Sequence, residues 1–227
     1  KTRRAALLLL FVLPIFTGAV SAEDWFEKKS DWHGFERWHF AVAERAAYVV
    51  VPKKAAAGKP WVWRARFPDY HFEMDVELLK HGFHIGYVDV GGMFGNSRAM
   101  DIGDEFYSFL TKERGFAEHP TLEGVSRGGL FVYNWTARHP ENVACIYCDT
   151  PVLDFKSWPA GKGTGIGSAG AWKQCLAAYG VTEEEGLKFS GNPLDHAAIV
   201  AKHRIPVLHI VSENDVVVPP AENTYLL

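Results

Sequence analysis

Short apolar runs alternate with amphipathic, helix-like segments along most of this chain. The apolar runs are typical of strands that are buried on both faces of a sheet, and the segments between them repeat apolar residues at helical spacing. This alternation predicts a doubly wound α/β domain with a mostly parallel sheet and no internal repeats. The predicted strands cover residues 47–51, 61–67, 83–90, 120–123, 143–149 and 206–211.

Helical spacing predicts helices over residues 72–80, 99–112 and 130–138. A long segment, about residues 150–204, separates the last two predicted strands, and it contains three further helical patterns at 172–179, 183–189 and 195–203. We interpret it as a helical lid inserted after strand 143–149. Its glycine-rich stretch, residues 161–170, lacks the Gly-Lys-Ser/Thr ending of a phosphate loop and indicates a lid connection instead.

The pentapeptide Gly124-Val125-Ser126-Arg127-Gly128 lies between a predicted strand and a predicted helix. That context is what a Gly-x-Ser-x-Gly nucleophile elbow requires, because a tight strand-to-helix turn exposes its serine to substrate. The pattern predicts Ser126 as a catalytic nucleophile. The alternative is a glycine-rich connection in another kind of α/β domain.

A serine nucleophile needs a base and an acid that orients the base. Asp215 follows the last predicted strand, at the end of the sheet where ligand sites of open α/β domains gather, and it is the candidate acid. Glu213 and Asp149 are rivals, and any of the three could instead form a turn. All ten histidines precede Asp215, and His209 lies inside the last predicted strand as an expected core residue.

From about residue 48 to residue 225 the chain resembles the α/β-hydrolase superfamily, especially its secreted prolyl-oligopeptidase-like and carbohydrate-esterase branches. The resemblance depends on the elbow, on the turn at Asn214-Asp215, and on residues 61–67, where such enzymes place the oxyanion loop. Ser126-Arg127 is also similar to the elbow of glucuronoyl esterases, although Val125 and Gly129 depart from it.

The resemblance implies a Ser-His-Asp mechanism on carboxylic esters, without a cofactor or a metal. It implies oxyanion donors at the backbone N–H of Arg127 and at one near Ala65 or Arg66. The superfamily's base follows its acid along the chain, so we expect the histidine beyond residue 227. On that expectation this chain lacks the C-terminal end of its domain and is inactive as it stands.

The chain of 227 residues has a formal net charge of -3, which argues against nucleic acid as a partner. The basic segment Lys1-Thr-Arg-Arg4, an apolar run over 5–15 and small residues at 20–22 predict a signal peptide, 1–22, and a mature domain, 23–227. The expected location is secreted or periplasmic, with no stable membrane span after signal removal. Cys145, Cys148 and Cys175 are too few for a disulfide framework, and the first two lie in a predicted strand.

Arg64, Arg66 and Arg127 are candidate substrate-binding residues, because guanidinium groups near one mouth could bind a carboxylate such as that of a uronic acid. The alternative is that they pair with acidic residues of the protein. Lid aromatics could stack on sugar rings or form the lid's own core: Phe155, Trp158, Trp172 and Tyr179. The expected substrate is a small-molecule or polysaccharide ester, including acidic or acylated polysaccharide. The alternatives are a prolyl-oligopeptidase-like peptidase and a non-catalytic binding protein on a hydrolase scaffold.

Overall fold

The computed structural model describes residues 25–227. The predicted signal peptide, residues 1–22, lies outside this range. Within it, one eight-stranded sheet has the strand order β1-β2-β3-β5-β4-β6-β7-β8. The strands are β1 Lys28–Trp32, β2 Phe35–Val42, β3 Arg45–Val51, β4 Trp61–Arg64, β5 His84–Val88, β6 Thr121–Val125, β7 Cys145–Asp149 and β8 Val207–Ile210.

Strands β4 to β8 run parallel, and β1, β2 and β3 add an antiparallel meander beside β5. The predicted doubly wound, mostly parallel α/β sheet is therefore confirmed. The sequence reasoning missed β1 and β2. Their two-residue hairpin turns use His33-Gly34 and Ala43-Glu44, all with positive φ, instead of the Asn-Gly or Asp-Gly pairs that mark such turns in sequence.

Each predicted helix is present, with small shifts of its ends. The helices are α1 Glu73–Lys80, α2 Ser97–Ser108, α3 Gly128–Arg138, α4 Ala169–Tyr179, α5 Glu183–Leu187 and α6 Ala197–Lys202. A π-helical turn, Phe109–Glu113, extends α2, and a 3-10 turn, Pro193–His196, precedes α6. Helices α4 to α6 occupy the predicted lid segment between β7 and β8. No helix within residues 25–227 is long and apolar enough to cross a membrane.

Side chains alternate between the two faces of the sheet and so separate two cores. On one face, Trp61 and Trp63 of β4 pack with Phe106 of α2 and Trp135 of α3. On the other face, Val62 packs in the cluster that includes Leu79 of α1. Because the period of a strand is two residues, Arg64 points to the same face as Val62, beneath α1. The strand pattern thus directs a charged side chain into the interior.

Candidate active site

Ser126 lies between the end of β6 and the start of α3, where the chain turns sharply. Its φ of 51° is left-handed, which costs an L residue roughly 1 to 2 kcal/mol. Three backbone hydrogen bonds hold this conformation: Ser126 N–H donates to the Asp149 carbonyl (2.9 Å), and the Ser126 carbonyl accepts from Gly129 (3.0 Å) and Val152 (2.9 Å). The predicted strand–turn–helix context of the elbow is therefore present.

Close packing explains the glycines on either side of Ser126. A Cβ added at Gly124 would lie 3.0 Å from Val132 Cγ2 and 3.1 Å from Cys148 Sγ. A Cβ at Gly128 would lie 3.1 Å from Arg66 Cβ and 3.7 Å from Arg66 N. The second contact shows that the backbone directly after β4 packs against the elbow. This segment is where the oxyanion loop is predicted.

A cavity of about 20 Å³, with room for a single water molecule, opens between this loop and the elbow. It lies at the first turn of α3, whose N-terminal residue makes no side-chain cap hydrogen bond. Backbone N–H groups at a helix N-terminus favour an oxygen that carries negative charge. Its lining residues are Ala65, Arg66, Val90, Gly92, Phe94, Gly95, Arg127, Gly128 and Phe131.

The guanidinium groups of Arg66 and Arg127 lie beside this cavity and form no ion pair with residues 25–227. Arg127 lies over the rings of Phe67, Phe94 and Trp158, at 5.5, 5.9 and 5.8 Å from their centroids. Its Nε is buried and donates to no atom of the described chain. Burial, and then the charge of Arg66, lower the pKa of Arg127. The Asp89 carboxylate lies close to Arg66, since Asp89 Oδ1 and Arg66 Nη1 would each lie within 3 Å of a Cβ added at Gly91. Two arginine side chains therefore flank the elbow, and Arg127 is the more isolated of the two.

Arg64 does not belong to this group, which corrects the prediction that it binds substrate. Its side chain is 0% exposed, and Nη1 donates to Asp75 Oδ2 (2.6 Å) and Glu123 Oε1 (2.9 Å). The alternative, pairing with an acid of the protein, is correct for Arg64. The other acids weighed for such pairing have different partners, since Asp89 pairs with Arg45 and Asp69 lies near Arg37.

Asp215 lies in a turn after β8, where its Oδ1 accepts from Val217 N–H (2.8 Å) and Val218 N–H (2.9 Å). The surface cleft that it lines also contains Glu213 and shares no residue with the elbow cavity. Asp149, the third candidate acid, ends β7 next to the elbow. The structure thus brings Ser126, Arg127, Ala65 and Arg66 together, and places Asp215 in a separate cleft.

None of the ten histidines lines the elbow cavity. His209 bridges Tyr133 Oη (2.7 Å) and Thr224 Oγ1 (3.0 Å), as expected for an internal residue. Burial lowers the pKa of His209 to about 4. Other histidines bond elsewhere, for example His139 to Asp104.

The lid aromatics divide into two groups. Phe155, Trp172 and Tyr179 pack with one another and with Phe189, so they form the lid's own core. Trp158 instead faces the guanidinium of Arg127. Trp158 also stacks on Phe94, and Tyr179 Oη donates to the Phe94 carbonyl (2.9 Å), so the lid core reaches the cavity lining at Phe94.

Sequence reasoning did not find Gly92 and Phe94, which line the cavity from the loop after β5. The available indication was the Gly91-Gly92 pair directly after a predicted strand, because loops at that end of a parallel sheet carry ligand sites. It also did not find Phe67, whose ring lies between the two arginines.

No protein-family model and no curated protein matches the chain. Solved structures do. A Pyrococcus horikoshii acylaminoacyl peptidase aligns with a TM-score of 0.62 at 20% identity, covering 85% of this chain and 34% of that one. The chain has the α/β-hydrolase fold. A Mycobacterium tuberculosis puromycin-hydrolyzing peptidase shares this hydrolase fold with a TM-score of 0.67 at 16% identity, over 85% and 33% of the two chains.

The same fold extends to Mycobacterium tuberculosis MPT51, with a TM-score of 0.54 at 16% identity, covering 82% of this chain and 77% of that protein. The chain spans about a third of the length of the two peptidases, 34% and 33%. At these identities the likeness concerns the fold alone. Activity must therefore be argued from the site.

Proposed function

We propose that this protein is a serine hydrolase of carboxylic esters, with Ser126 as its nucleophile. The observation that carries the proposal is the left-handed Ser126 at the end of β6, beside a cavity the size of one oxygen. That cavity is where the backbone N–H of Arg127, with that of Ala65 or Arg66, would stabilise the negative oxygen of a tetrahedral intermediate. The backbone N–H of Ala65 already donates to the backbone carbonyl of Glu123 (2.9 Å), so the backbone N–H of Arg66 is the better second donor.

Catalysis also needs a group that takes the Ser126 proton. Asp215 remains the proposed acid, with Asp149 and Glu213 as rivals, and we expect the base to be a histidine, although none lines the elbow cavity of the described chain. Without a base beside Ser126, ester hydrolysis should be slow. Added imidazole should then raise ester hydrolysis, because it can accept the proton in place of the side chain.

The direct test is Ser126→Ala with imidazole present, which should remove both the imidazole-supported hydrolysis of a generic aryl ester and the labelling by a fluorophosphonate that the wild-type protein shows. Loss of a serine nucleophile typically lowers the rate by several orders of magnitude. The matched control is Ser190→Ala, which changes an exposed serine of the lid and should leave both readouts unchanged. Unchanged labelling in the Ser126 variant would exclude the proposal.

The substrate that we propose is an ester of an acidic saccharide. Arg127 forms no ion pair within the described chain, Arg66 lies near Asp89 but forms no ion pair with it, and Trp158 beside Arg127 offers a surface on which a sugar ring can stack. A carboxylate that binds between the two guanidinium groups would neutralise both charges. Trp158 is the aromatic residue we assign to substrate, since the other lid aromatics pack internally.

Arg127→Gln and Arg66→Gln should each lower kcat/KM for a uronic acid ester by about tenfold, the effect of losing one charge-assisted hydrogen bond. A neutral sugar ester should be affected little, and added salt should weaken the preference of the wild-type protein. Arg138→Gln is the control, because Arg138 pairs with Asp101 and Asp104 at the far end of α3. Equal losses on both esters would assign the two arginines a structural role.

A peptidase is the second candidate, and the peptidases among the structural neighbours favour it. If the protein hydrolyses aminoacyl amides faster than sugar esters, the peptidase is the correct assignment. A non-catalytic binding protein on the same scaffold is the third candidate. Ester binding without Ser126-dependent hydrolysis, even with imidazole, would support it.

We also propose that the protein is exported, from the pattern of residues 1–22. N-terminal sequencing of the mature protein should then begin at Glu23.

A further inference from the structure

An arginine and two carboxyl groups are buried together directly behind the elbow. Arg64 ends β4, Asp75 belongs to α1, and Glu123 lies on β6 three residues before Ser126; their exposures are 0%, 0% and 1%. Arg64 and Glu123 are register partners in adjacent parallel strands, so their side chains share one face of the sheet. Helix α1 covers that face and brings Asp75 onto them.

The hydrogen bonds of the cluster leave one oxygen of each carboxyl group without a partner within the described chain. Arg64 Nη1 donates to one oxygen of each carboxyl group, Asp75 Oδ2 and Glu123 Oε1. The other two, Asp75 Oδ1 and Glu123 Oε2, are buried and have no partner among residues 25–227. Two carboxylates with one cation would also leave a net negative charge in the interior, which is costly. The two carboxyl groups lie within side-chain hydrogen-bonding reach of each other, so one proton between them would satisfy both and make the cluster neutral.

The surrounding charges favour that proton on Glu123. Burial, and then the negative charge of Asp75, raise the pKa of Glu123 well above its usual range, and Asp149 adds to this. Burial also raises the pKa of Asp75, although Arg64 opposes it. The remaining titratable groups that face the cluster are Tyr147 of β7 and Tyr48 of β3, and burial raises the pKa of each.

The same arginine holds the loop that lines the elbow cavity. Arg64 Nε donates to the Phe67 carbonyl (3.1 Å), and Nη2 donates to the Tyr70 carbonyl. Phe67 and His71 both have a φ of 52°, a left-handed conformation that persists only where neighbouring contacts enforce it. Residues 65–71 thus leave β4 in a strained path that depends on Arg64, and this path places Ala65 and Arg66 at the cavity.

We propose that Arg64, Asp75 and Glu123 are positioning residues that fix loop 65–71 against the Ser126 turn, with one proton shared between the two carboxyl groups. The catalytic part of this inference rests on the proposed function. The structural part, the state of the loop, can be measured without any activity.

The experiment compares Glu123→Gln with Glu123→Leu in the full chain. A glutamine amide can donate to Asp75 and its carbonyl can accept from Arg64, so Glu123→Gln should keep slow amide hydrogen exchange over residues 65–71. Leucine can do neither, and exchange there should rise about tenfold while that of β6 and β7 is unchanged. For hydrolysis, kcat should fall by roughly 100-fold in Glu123→Leu, as for a displaced catalytic group, with a smaller change in KM.

The pH profile gives a readout that a merely structural role would not produce. In the wild-type protein the shared proton leaves as pH rises through the raised pKa, so both kcat and the protection of loop 65–71 should fall at alkaline pH. Glu123→Gln carries no such proton and should lack this alkaline loss. If Glu123→Leu does not fold, Arg64→Lys replaces it, because lysine keeps the charge but cannot reach both carboxyl groups and both carbonyls.

Equal exchange over residues 65–71 in all variants would overturn the inference, and so would a Glu123→Gln variant that behaves like Glu123→Leu. A different outcome would be amide exchange over residues 65–71 that changes as expected in a protein with no Ser126-dependent hydrolysis. That outcome would refute the proposed function but would still support the shared proton and the attachment of loop 65–71 by Arg64.

Discussion

Ser126 combines a left-handed backbone with a position between two glycines that pack against neighbouring chain. Glycine would adopt this φ without strain, yet the position holds a side chain with a hydroxyl group. Strain that a simple substitution would relieve is typical of functional positions. The backbone conformation therefore supports the proposed role of Ser126, although nine other non-glycine residues of the described chain also have a positive φ.

Ser126→Gly should accordingly make the protein more stable than Ser126→Ala, by about 1 kcal/mol, because alanine keeps the strain of the left-handed backbone and glycine removes it. Both variants lack the hydroxyl, so the comparison isolates the backbone. Urea denaturation of the two variants measures the difference. Equal midpoints would show that the turn at residue 126 stores no strain.

At the scale of elements, His209 joins β8 to two other parts of the fold. It lies in the strand next to β7 and bridges Tyr133 of α3 and Thr224 in the 3-10 turn Thr224–Leu226. Burial lowers its pKa to about 4, so the folded protein holds it neutral. The neutral imidazole thus attaches β8 to α3 and to the C-terminal turn through its two hydrogen bonds.

This depressed pKa predicts that stability is lost on the acid side. His209 contributes fully above its unfolded pKa of about 6.5, and its contribution disappears as pH falls toward 4, because unfolding then takes up a proton. His209→Gln should therefore lose less stability than the wild type between those pH values. His203→Gln, at an exposed helix end, is the matched control. An unchanged slope of the urea midpoint against pH in His209→Gln would contradict the prediction.

At the scale of the whole molecule, β8 is the outer strand of the described sheet, and three of its four residues are exposed apolar side chains. Val207, Leu208 and Ile210 are 40%, 57% and 50% exposed. An outer strand of this kind offers unpaired backbone groups and an apolar surface to another chain. The 227-residue chain should therefore self-associate through β8.

Leu208→Lys should reduce that self-association, since a charge on an outer strand opposes edge-to-edge pairing. Ile166→Lys is the control, because Ile166 is more exposed, 71%, but lies in the lid and not in the sheet. Sedimentation velocity over a range of protein concentrations measures the effect. Equal association of both variants would show that the contact lies elsewhere.

The α/β class, the order of the helices and the turn at Ser126 could be predicted from the sequence by itself. They depend on local periodicity and on glycines near one serine, and such patterns lie within a few residues of each other. The same reasoning overlooked β1 and β2, because their turns, His33-Gly34 and Ala43-Glu44, lack the usual residues, and these strands belong to the sheet through the pairing of β2 with β3 and of β1 with β2.

Only the tertiary structure separated the surroundings of the three arginines. Arg64 and Arg66 have the same residue type, two positions apart in the chain. Arg64 is still within β4 and turns toward α1, where Asp75 and Glu123 surround it, whereas Arg66 lies in the loop beyond the strand and reaches the cavity. Which acids meet a side chain depends on elements that are distant in sequence. No pattern of neighbouring residues contains this information, so the burial and the ion pairs of each arginine follow only from the fold.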